Sequence, residues 1–559
     1  MPATSRGCAR HVSDLTVAAA LLQDSLGNRL RRRLAGAWHG TRLYALTLPR
    51  KAPLELPLLP EDPFPGTIAN ADRLFQGRFV FAGAEIVSPH AAPWAFSAEQ
   101  ARLDPASHAA WAAGLHGFGW LRDFSAQGGD MARRMARSLT ADWIAKHERI
   151  HGLPWRPDVA GHRLAQWCLA AHFLLDGADE RFAHDFLLAI ARHRAHLGRA
   201  ALHATQGLPR FHALLGLVYG VEALGEGGRD GAAAMRELCD CLDGQVHADG
   251  GHVSRNPSAL LRLLREVIAL WRFLVAVDPE RAALLQPYLD RMAPMLRFFR
   301  HGDGGLALFH GGEEELPSQI DLTLDLSEAR GKPLSSASQS RYERAGAKRA
   351  LLLLDTGPAT TASHPHRGLL SAEFSHGKDR LIVNCGATRR AGGSWVEALA
   401  GVAAHSTLSL GSGEPARDAT VSVTRNEQDG AIWFEAEHDG WRASHNRLHR
   451  RRLYLAAGGE DLRGEDIVTE YGGTPVQATL RLHLHPSVHA SLIGSGDTVI
   501  LKSNSGQGWR WRGAGGMVRL EDSIYFGLGG EPRRTQQIVM TGSAGAEALV
   551  FKWALTKIN

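Results

Sequence analysis

The stretch ASHPHRGLLSAEFSHGKDRLIVNCGA, from Ala362 to Ala387, decides the fold of this chain. It contains two short apolar runs, LLSAEF and LIVNCGA, and runs of this kind bounded by turn residues predict buried β-strands. His364 and His366 are two residues apart, so both rings would point to the same face of an extended strand. His405 opens a further run of this kind in AAHSTLSL. Three imidazoles on neighbouring strands predict a polar site inside a β-sandwich, because burying polar groups is costly.

The chain keeps this β-like texture from about Arg349 to its C-terminal end. Short apolar or alternating runs are separated by turns that contain glycine or aspartate, and NEQDGAIWF and GSGDTV are typical of β-hairpins. Many short strands without intervening helices predict packed antiparallel sheets and not a parallel sheet. We therefore predict a large antiparallel β-sandwich over residues 342–559.

The preceding half of the chain has a helical periodicity. From Trp111 onward, apolar residues recur at spacings of three and four, as in GHRLAQWCLAAHFLL and SALLRLLREVIALWRFLVAV. Short breaks such as DGADE and GEGGRDG separate helices of similar length, which predicts antiparallel neighbours in a solenoid-like array or an α/α toroid. We interpret Trp111, Trp120, Trp143, Trp155 and Trp167 as core residues, with a sugar-stacking platform of one or two of them as the alternative.

These patterns divide the chain into four parts. We expect an irregular, proline-containing region over residues 1–100, a helical domain over 101–300, a linker over 301–341 and the sandwich over 342–559. A chain of 559 residues is too long for one ordinary core. The prediction is therefore a multidomain α+β protein in which a helical domain precedes the sandwich.

Composition excludes several classes of protein. The chain is 44% hydrophobic and 22% charged, as soluble globular proteins are, and no apolar run is long enough to span a bilayer. A net charge of +5 without basic runs interleaved with aromatic residues argues against a nucleic-acid partner. Five scattered cysteines are too few for a disulfide framework. The segment VAAALLQDSL is interrupted by Gln23 and Asp24, so no clear export signal is expected.

The whole pattern resembles the heparinase II/III-like polysaccharide lyases, in which an α/α toroid precedes a β-sandwich. The resemblance rests on HPHRGLLSAEF, RLIVNCGA, AAHSTL, HRRRLYL and EPRRTQQIV in the sandwich, and on LHGFGWLRDF, WRPDVAGHRLAQW and QVHADGGHVSRNP in the helical half. It implies an enzyme that cleaves a uronic-acid-containing acidic polysaccharide by β-elimination. It also implies a location in the cell envelope or periplasm, whereas the lack of a clear export signal leaves a cytoplasmic location open.

β-Elimination makes three demands on a site. The proton at C5 of a uronate is weakly acidic, so the enzyme must neutralise the neighbouring carboxylate, take up this proton and protonate the leaving oxygen. The resemblance implies an Asn, His or Arg as neutraliser and a Tyr with a His as base and acid. It further implies a structural zinc ion held by two His and one Asp in the sandwich.

Several of these positions have counterparts in the sandwich half of this sequence. The resemblance places His364 at the catalytic histidine, and His366 and His405 at the two zinc histidines. The zinc aspartate falls on Asn384, whose neutral amide is a poorer zinc ligand than a carboxylate. We therefore expect zinc binding to be weak or absent.

The helical half departs further from the family pattern. The neutralising segment falls near Gln206, with Arg210 as a second candidate, and Ala259 stands where the family has its tyrosine. His252 and Arg255, in DGGHVSRNP, are the nearest substitutes. Arginine would be a bidentate carboxylate clamp and histidine a base, although both side chains are equally suited to tying this loop to the helices.

Two functions of different class stay open. The first is a lyase for an acidic polysaccharide, with rearranged catalytic residues. The second is a catalytically inactive relative that binds an acidic polysaccharide or serves envelope-polymer metabolism. The missing tyrosine and aspartate favour the second function, whereas the retained histidines and Arg255 favour the first. We take the lyase as the working prediction.

Overall fold

The computed structural model of this chain describes residues 26–90, 92–360, 365–469, 474–494, 496–545 and 547–558. Sixteen helices in the described residues precede the sandwich. They are α1 Leu26–His39, α2 Arg42–Leu46, α3 Ile68–Phe75, α4 Ala98–Ala101, α5 Pro105–His116, α6 Leu121–Gln127, α7 Gly129–Lys146, α8 Pro157–Leu169, α9 Ala171–Leu175, α10 Glu180–Ala200, α11 Leu208–Ala223, α12 Ala232–Asp243, α13 Pro257–Val277, α14 Pro279–Ala283, α15 Gln286–Phe298 and α16 Pro317–Leu326. A hairpin of β1 Arg78–Phe81 and β2 Ala84–Val87 lies between α3 and α4. None of the helices in the described part of the chain is both long and apolar enough to cross a membrane.

The C-terminal half consists of strands with two short helices inserted. The strands are β3 Ser336–Ala337, β4 Tyr342–Ala347, β5 Ala350–Asp355, β6 Ala372–His376, β7 Asp379–Val383, β8 Leu408–Leu410, β9 Val421–Gln428, β10 Ala431–His438, β11 His449–Leu455, β12 Asp461–Val468, β13 Val476–Leu484, β14 Val488–Ile493, β15 Thr498–Ser503, β16 Gly508–Ala514, β17 Met517–Tyr525, β18 Arg533–Ala544 and β19 Leu549–Ile558. The helices are α17 Ser394–Ala400 and α18 Arg442–His445. Strand β4 begins at Tyr342, where the sequence predicts the sandwich to begin, but the helices do not end near residue 300, because α16 lies within the segment predicted as a linker.

Contacts group the described residues into two compact units. The first unit combines the chain up to residue 60 with residues 116–245, and the second combines residues 61–115 with residues 246–559. Helices α13–α16 therefore belong to the same unit as the sandwich. The four-part division made from the sequence stays a prediction.

The first unit is held together by closely packed helices. Helices α8 and α11 meet at two glycines: a Cβ on Gly216 would lie 2.1 Å from the carbonyl oxygen of Gly161, and one on Gly161 would lie 2.3 Å from that of His212. Neither position has room for a side chain, because the obstacle in each case is backbone. The apolar helical periodicity thus sets which faces meet, and the glycines set how closely they approach.

The tryptophans of the first unit are core residues, as the sequence indicates. Trp143, Trp155 and Trp167 are buried and surround the guanidinium carbon of Arg163, which lies 3.9, 5.4 and 5.8 Å from their ring centroids. The Arg163 Nε donates to Nε2 of His193 at 3.0 Å. Burial lowers the pKa of the Arg163 guanidinium, and the ring faces compensate part of its lost hydration. The sugar-platform alternative is wrong for these three rings.

The sandwich consists of two antiparallel sheets. One has the strand order β14-β15-β16-β19-β12-β11-β10-β9, and the other has the order β17-β18-β13-β7-β6-β5-β4-β3 with β8 paired to β13. Side chains of both sheets form one core, which includes Phe374 and Leu480 from the second sheet and Phe434, Trp509 and Phe551 from the first. The prediction of a large antiparallel sandwich is confirmed.

We predict that Gly216→Ala destabilises the protein by about 1–3 kcal/mol, since the new methyl group has to displace helix backbone. Urea unfolding followed by circular dichroism measures the change. Gly198→Ala is the matched control: this glycine lies on the exposed face of α10 with only the end of the Arg194 side chain near its position. The control should gain about 0.5–1 kcal/mol from helix propensity, and an equal loss in both variants would contradict close packing at Gly216.

Candidate functional site

The candidate site lies in the second unit, where the segment 299–316 between α15 and α16 runs against the sheet. Glu373 of β6 is fully buried there. Its carboxylate oxygens accept hydrogen bonds from the Leu308 N–H at 3.0 Å, the Asn384 side-chain amide at 3.2 Å and the His301 Nε2 at 3.0 Å. Several donors are needed because a buried carboxylate without them is costly. Glu373 therefore joins this segment to the centre of the sheet.

A second buried carboxylate, Asp355, ends the apolar strand β5. It is 1% exposed and pairs with the guanidinium of Arg255. It also accepts hydrogen bonds from the His310 Nε2 at 2.8 Å and the Gly357 N–H at 3.0 Å. Burial by itself raises the pKa of the Asp355 carboxyl, but the positive charge of Arg255 and these hydrogen bonds outweigh burial and lower the pKa. The Asp355 carboxyl group is thus deprotonated at neutral pH.

Arg255 is occupied by acceptors of the protein itself. Besides Asp355, its guanidinium donates to the carbonyl oxygens of Ser340 at 2.9 Å, Pro358 at 2.7 Å and Arg341 at 2.9 Å. The backbone of Arg255 has the left-handed φ of 58°, which this set of contacts holds in place. A bidentate clamp needs a free fork of N–H groups. The structure therefore supports the loop-tying role of Arg255 and not the predicted role as a carboxylate clamp.

His252 lies in the same loop and is equally enclosed. It is 3% exposed, and its Nδ1 accepts the Ser254 N–H at 3.1 Å and lies 2.7 Å from the Ser254 hydroxyl. Its Nε2 is buried without a hydrogen-bond partner within the described residues. Burial lowers the pKa of His252 to about 4, so the ring is neutral near neutral pH. A ring this buried is poorly placed to take a proton from a polymer.

His366 and His405 come together, as the sequence predicts. Nδ1 of His366 lies 3.1 Å from Nε2 of His405. On the other side of the His405 ring, Nδ1 lies 2.8 Å from the carbonyl oxygen of Gly401. A carbonyl oxygen only accepts, so Nδ1 of His405 carries its proton and Nε2 accepts the proton of His366 Nδ1. Burial lowers the pKa of His366 and lowers that of His405 to about 4. The Nε2 of His366 is therefore left with a lone pair.

The described residues do not fit the zinc site that the resemblance implies. The amide of Asn384 donates from Nδ2 to Glu373, and its Oδ1 accepts the Ser406 N–H at 3.0 Å. With this amide committed to the fold, only His366 and His405 are left as ligands, whereas protein zinc sites use three or four. Within the described residues, no group of three or more His, Cys, Asp or Glu is arranged to hold a metal ion.

The remaining predicted residues lie elsewhere. His364 lies outside the described residues. Gln206 and Arg210 belong to the first unit. Gln206 is exposed just before α11, and Arg210 in the first turn of α11 pairs with Glu237 at 3.3 Å. Their role as carboxylate neutralisers stays a prediction.

Three residues of the site were missed from the sequence. His310 lies in a loop and brings its ring centroid 6.3 Å from that of His366. Asp355 ends the strongly apolar strand β5, and Glu373 lies in the wholly buried strand β6 between Ala372 and Phe374. A lone acid in such a run is a sequence signal for a buried ion pair, since charge inside a strand core requires a partner.

The fold agrees with that of known proteins. Residues 329–554 match the family described as Heparinase II/III-like, C-terminal. The fold is similar to that in the crystal structure of heparinase III, with a TM-score of 0.69 at 13% identity over 94% of this chain and 89% of that chain. It is also similar to the crystal structure of a heparan sulfate lyase HepC mutant from Pedobacter heparinus, with a TM-score of 0.62 at 13% identity over 98% and 92%. The predicted fold class, an α/α toroid followed by a β-sandwich, is confirmed.

A curated relative extends over the whole chain. FtsZ-localized protein C of Caulobacter vibrioides (strain NA1000 / CB15N) is 30% identical over 589 aligned positions, which cover 98% of each chain. The chain belongs to the heparinase II/III-like family.

We predict that Arg255→Met destabilises the protein by about 3–5 kcal/mol, because it leaves the buried Asp355 carboxylate without its cation. Thermal and urea unfolding measure the loss. The control is Arg262→Met, since the Arg262 side chain is 59% exposed and pairs with Glu315 at 3.5 Å. The control should change stability by less than about 1 kcal/mol. Equal effects of both variants would contradict the buried pair.

The pKa of His252 gives a second prediction. The unfolded ring binds a proton below a pH of about 6.5, whereas the folded ring resists protonation down to a pH of about 4. The contribution of His252 to the unfolding free energy is therefore present above pH 6.5 and is lost as the pH falls toward 4. His252→Gln should flatten this loss by up to about 3 kcal/mol in urea titrations across that range. His184→Gln, at an exposed histidine, should leave the pH profile unchanged.

Proposed function

We propose that this chain is a heparinase-fold protein that acts at FtsZ and does not cleave polysaccharides by β-elimination. The observation that carries this proposal is the commitment of Arg255 to the internal carboxylate of Asp355. In a lyase, the carboxylate to be neutralised is that of the substrate. Here the arginine nearest to the family's catalytic loop neutralises a carboxylate of the protein.

The position of the family's tyrosine supports the same proposal. It falls on Ala259, in the first turn of α13, where the Asn256 side chain caps the helix by accepting the Ala259 N–H at 3.1 Å. A methyl group exchanges no proton, and His252 in the preceding loop is buried. The described part of this loop thus has the structure of a helix cap and an ion pair.

The relative named FtsZ-localized protein C supports the part of the proposal that places this chain at FtsZ. The likeness extends over 98% of both chains, so it includes the helical half as well as the sandwich. A shared role is the simplest reason for two chains to keep this whole arrangement. The partner of this chain would then be FtsZ.

The second candidate is a lyase for an acidic polysaccharide, and one observation favours it. The hydrogen bonds from His366 through His405 to the carbonyl of Gly401 leave the Nε2 of His366 unprotonated. An unprotonated imidazole can accept a proton, although burial lowers the pKa of His366 and so makes it a weaker base than an exposed histidine. In this candidate, His366 takes the C5 proton in place of the missing tyrosine.

Two assays on the purified chain decide between these candidates. We expect no rise in the ultraviolet absorbance of unsaturated uronates on glycosaminoglycans, alginates or bacterial exopolysaccharides. We expect saturable binding to purified FtsZ in biolayer interferometry, with serum albumin as the negative control, and unchanged binding by His366→Gln. Uronate formation that His366→Gln abolishes would establish the lyase instead. Absence of FtsZ binding by the wild-type chain would contradict the proposal that FtsZ is its partner.

A further inference from the structure

The outward face of the eight-stranded sheet has a row of large side chains across neighbouring strands. Trp433 of β10 lies opposite Tyr454 of β11, and Tyr454 lies opposite Arg463 of β12. The guanidinium of Arg463 lies 5.7 Å from the Tyr454 ring centroid. All three point away from the sandwich core, because their strand neighbours on both sides are buried. We call these three residues the aromatic row.

The next row, two residues along each strand, is made of alternating charges. Glu435, Arg452, Glu465 and Lys552 are successive cross-strand neighbours on β10, β11, β12 and β19. Arg452 lies 2.7 Å from Glu435 and 3.0 Å from Glu465, and Lys552 lies 3.3 Å from Glu465. We call these four residues the charged row. Its alternation suits a sheet, since opposite charges on adjacent strands attract each other.

A groove of about 480 Å³ lies between the two rows. Its walls are the aromatic row and the charged row, and its floor is formed by the strands at Phe434, Leu453, Gly464 and Trp553. The volume is within the range of about 300–1,000 Å³ that is usual for small-molecule sites. Three strand spacings of about 4.8 Å make the charged row about 14 Å long. The groove is therefore elongated across the strands.

The charges of the groove balance. Two glutamates of the charged row face Arg452 and Lys552, and the aromatic-row residue Arg463 is paired with Asp461 at 2.6 Å. A polyanion would be repelled by the glutamates, and a polycation by Arg452 and Lys552. The paired groups keep spare lone pairs and N–H groups at their exposed sides, so they can accept and donate hydrogen bonds. The electrostatics favour a ligand without net charge that is rich in hydrogen-bonding groups.

We infer that this groove binds an uncharged oligosaccharide, with sugar rings against Trp433 and Tyr454 and hydroxyl groups on the charged row. A pyranose ring has an apolar face that packs on an aromatic ring, and its hydroxyls each donate and accept a hydrogen bond. The apolar face matches the aromatic row, and the hydroxyl groups match the charged row. This site is separate from His366 and does not depend on the proposed function at FtsZ.

The test is isothermal titration calorimetry of the full chain with four hexasaccharides. Maltohexaose, cellohexaose and the hexamer of N-acetylglucosamine are the uncharged probes, and a hyaluronan hexasaccharide is the acidic probe. We expect at least one uncharged probe to bind more tightly than the acidic one. Trp433→Ala should weaken that binding at least tenfold, whereas Trp395→Ala, at a tryptophan that is 47% exposed elsewhere in the same unit, should leave it unchanged.

A second variant tests the role of charge balance. Glu465→Gln removes the carboxylate that pairs with both Arg452 and Lys552 and leaves the groove net positive. It should raise affinity for the hyaluronan hexasaccharide several-fold in low salt, and the gain should fall as salt is added. Melting temperatures near that of the wild-type chain show that the variants are folded.

Three results would overturn the inference. The first is a wild-type chain that binds none of the uncharged probes. The second is binding that Trp433→Ala leaves unchanged, which would place the sugars elsewhere. The third is a Trp433→Ala chain that loses binding to FtsZ while no sugar binds, which would make this face a protein-docking surface. The FtsZ assay on the wild-type chain separates failure of this inference from failure of the proposed function.

Discussion

Two buried carboxylates are the constraint on which the candidate site depends. Glu373 and Asp355 lie on adjacent strands of the sandwich, and each has at least one donor on a segment distant in the chain. A buried carboxylate without a cation or several N–H donors would destabilise the fold by several kcal/mol. The segment 299–316 and the loop that contains Arg255 must therefore adopt the conformations that satisfy these two anions.

The same constraint fixes the contacts of two residues that the sequence analysis placed at the site. Arg255 faces Asp355, and Asn384 donates to Glu373. An aspartate at position 384 would put a second carboxylate against Glu373 unless a cation lay between them. The amide found there therefore suits a site without a metal ion. The contacts of Arg255 and Asn384 thus join the centre of the sheet to the segments packed on it.

The candidate site and the groove use charge in opposite ways. At the candidate site, Asp355 is buried and pairs with Arg255 across a long sequence separation. On the outward face of the eight-stranded sheet the charges are exposed, many and paired between adjacent strands, as with Arg452 between Glu435 and Glu465. Exposed pairs contribute little to stability, so this face is free to serve recognition.

The sequence by itself determined the fold class, the place where the sandwich begins, and the meeting of His366 with His405. Hydrophobic periodicity sets element type locally, and the family motif carries the spatial pairing of the two histidines. The tertiary structure decided what Arg255 and Asn384 do. The partner of Arg255 lies 100 residues further along the chain, and a side chain that could face a substrate looks the same in sequence as one that faces Asp355. Only the packed structure fixes which carboxylate a buried cation meets, because that choice depends on desolvation and on long-range contacts that no local pattern records.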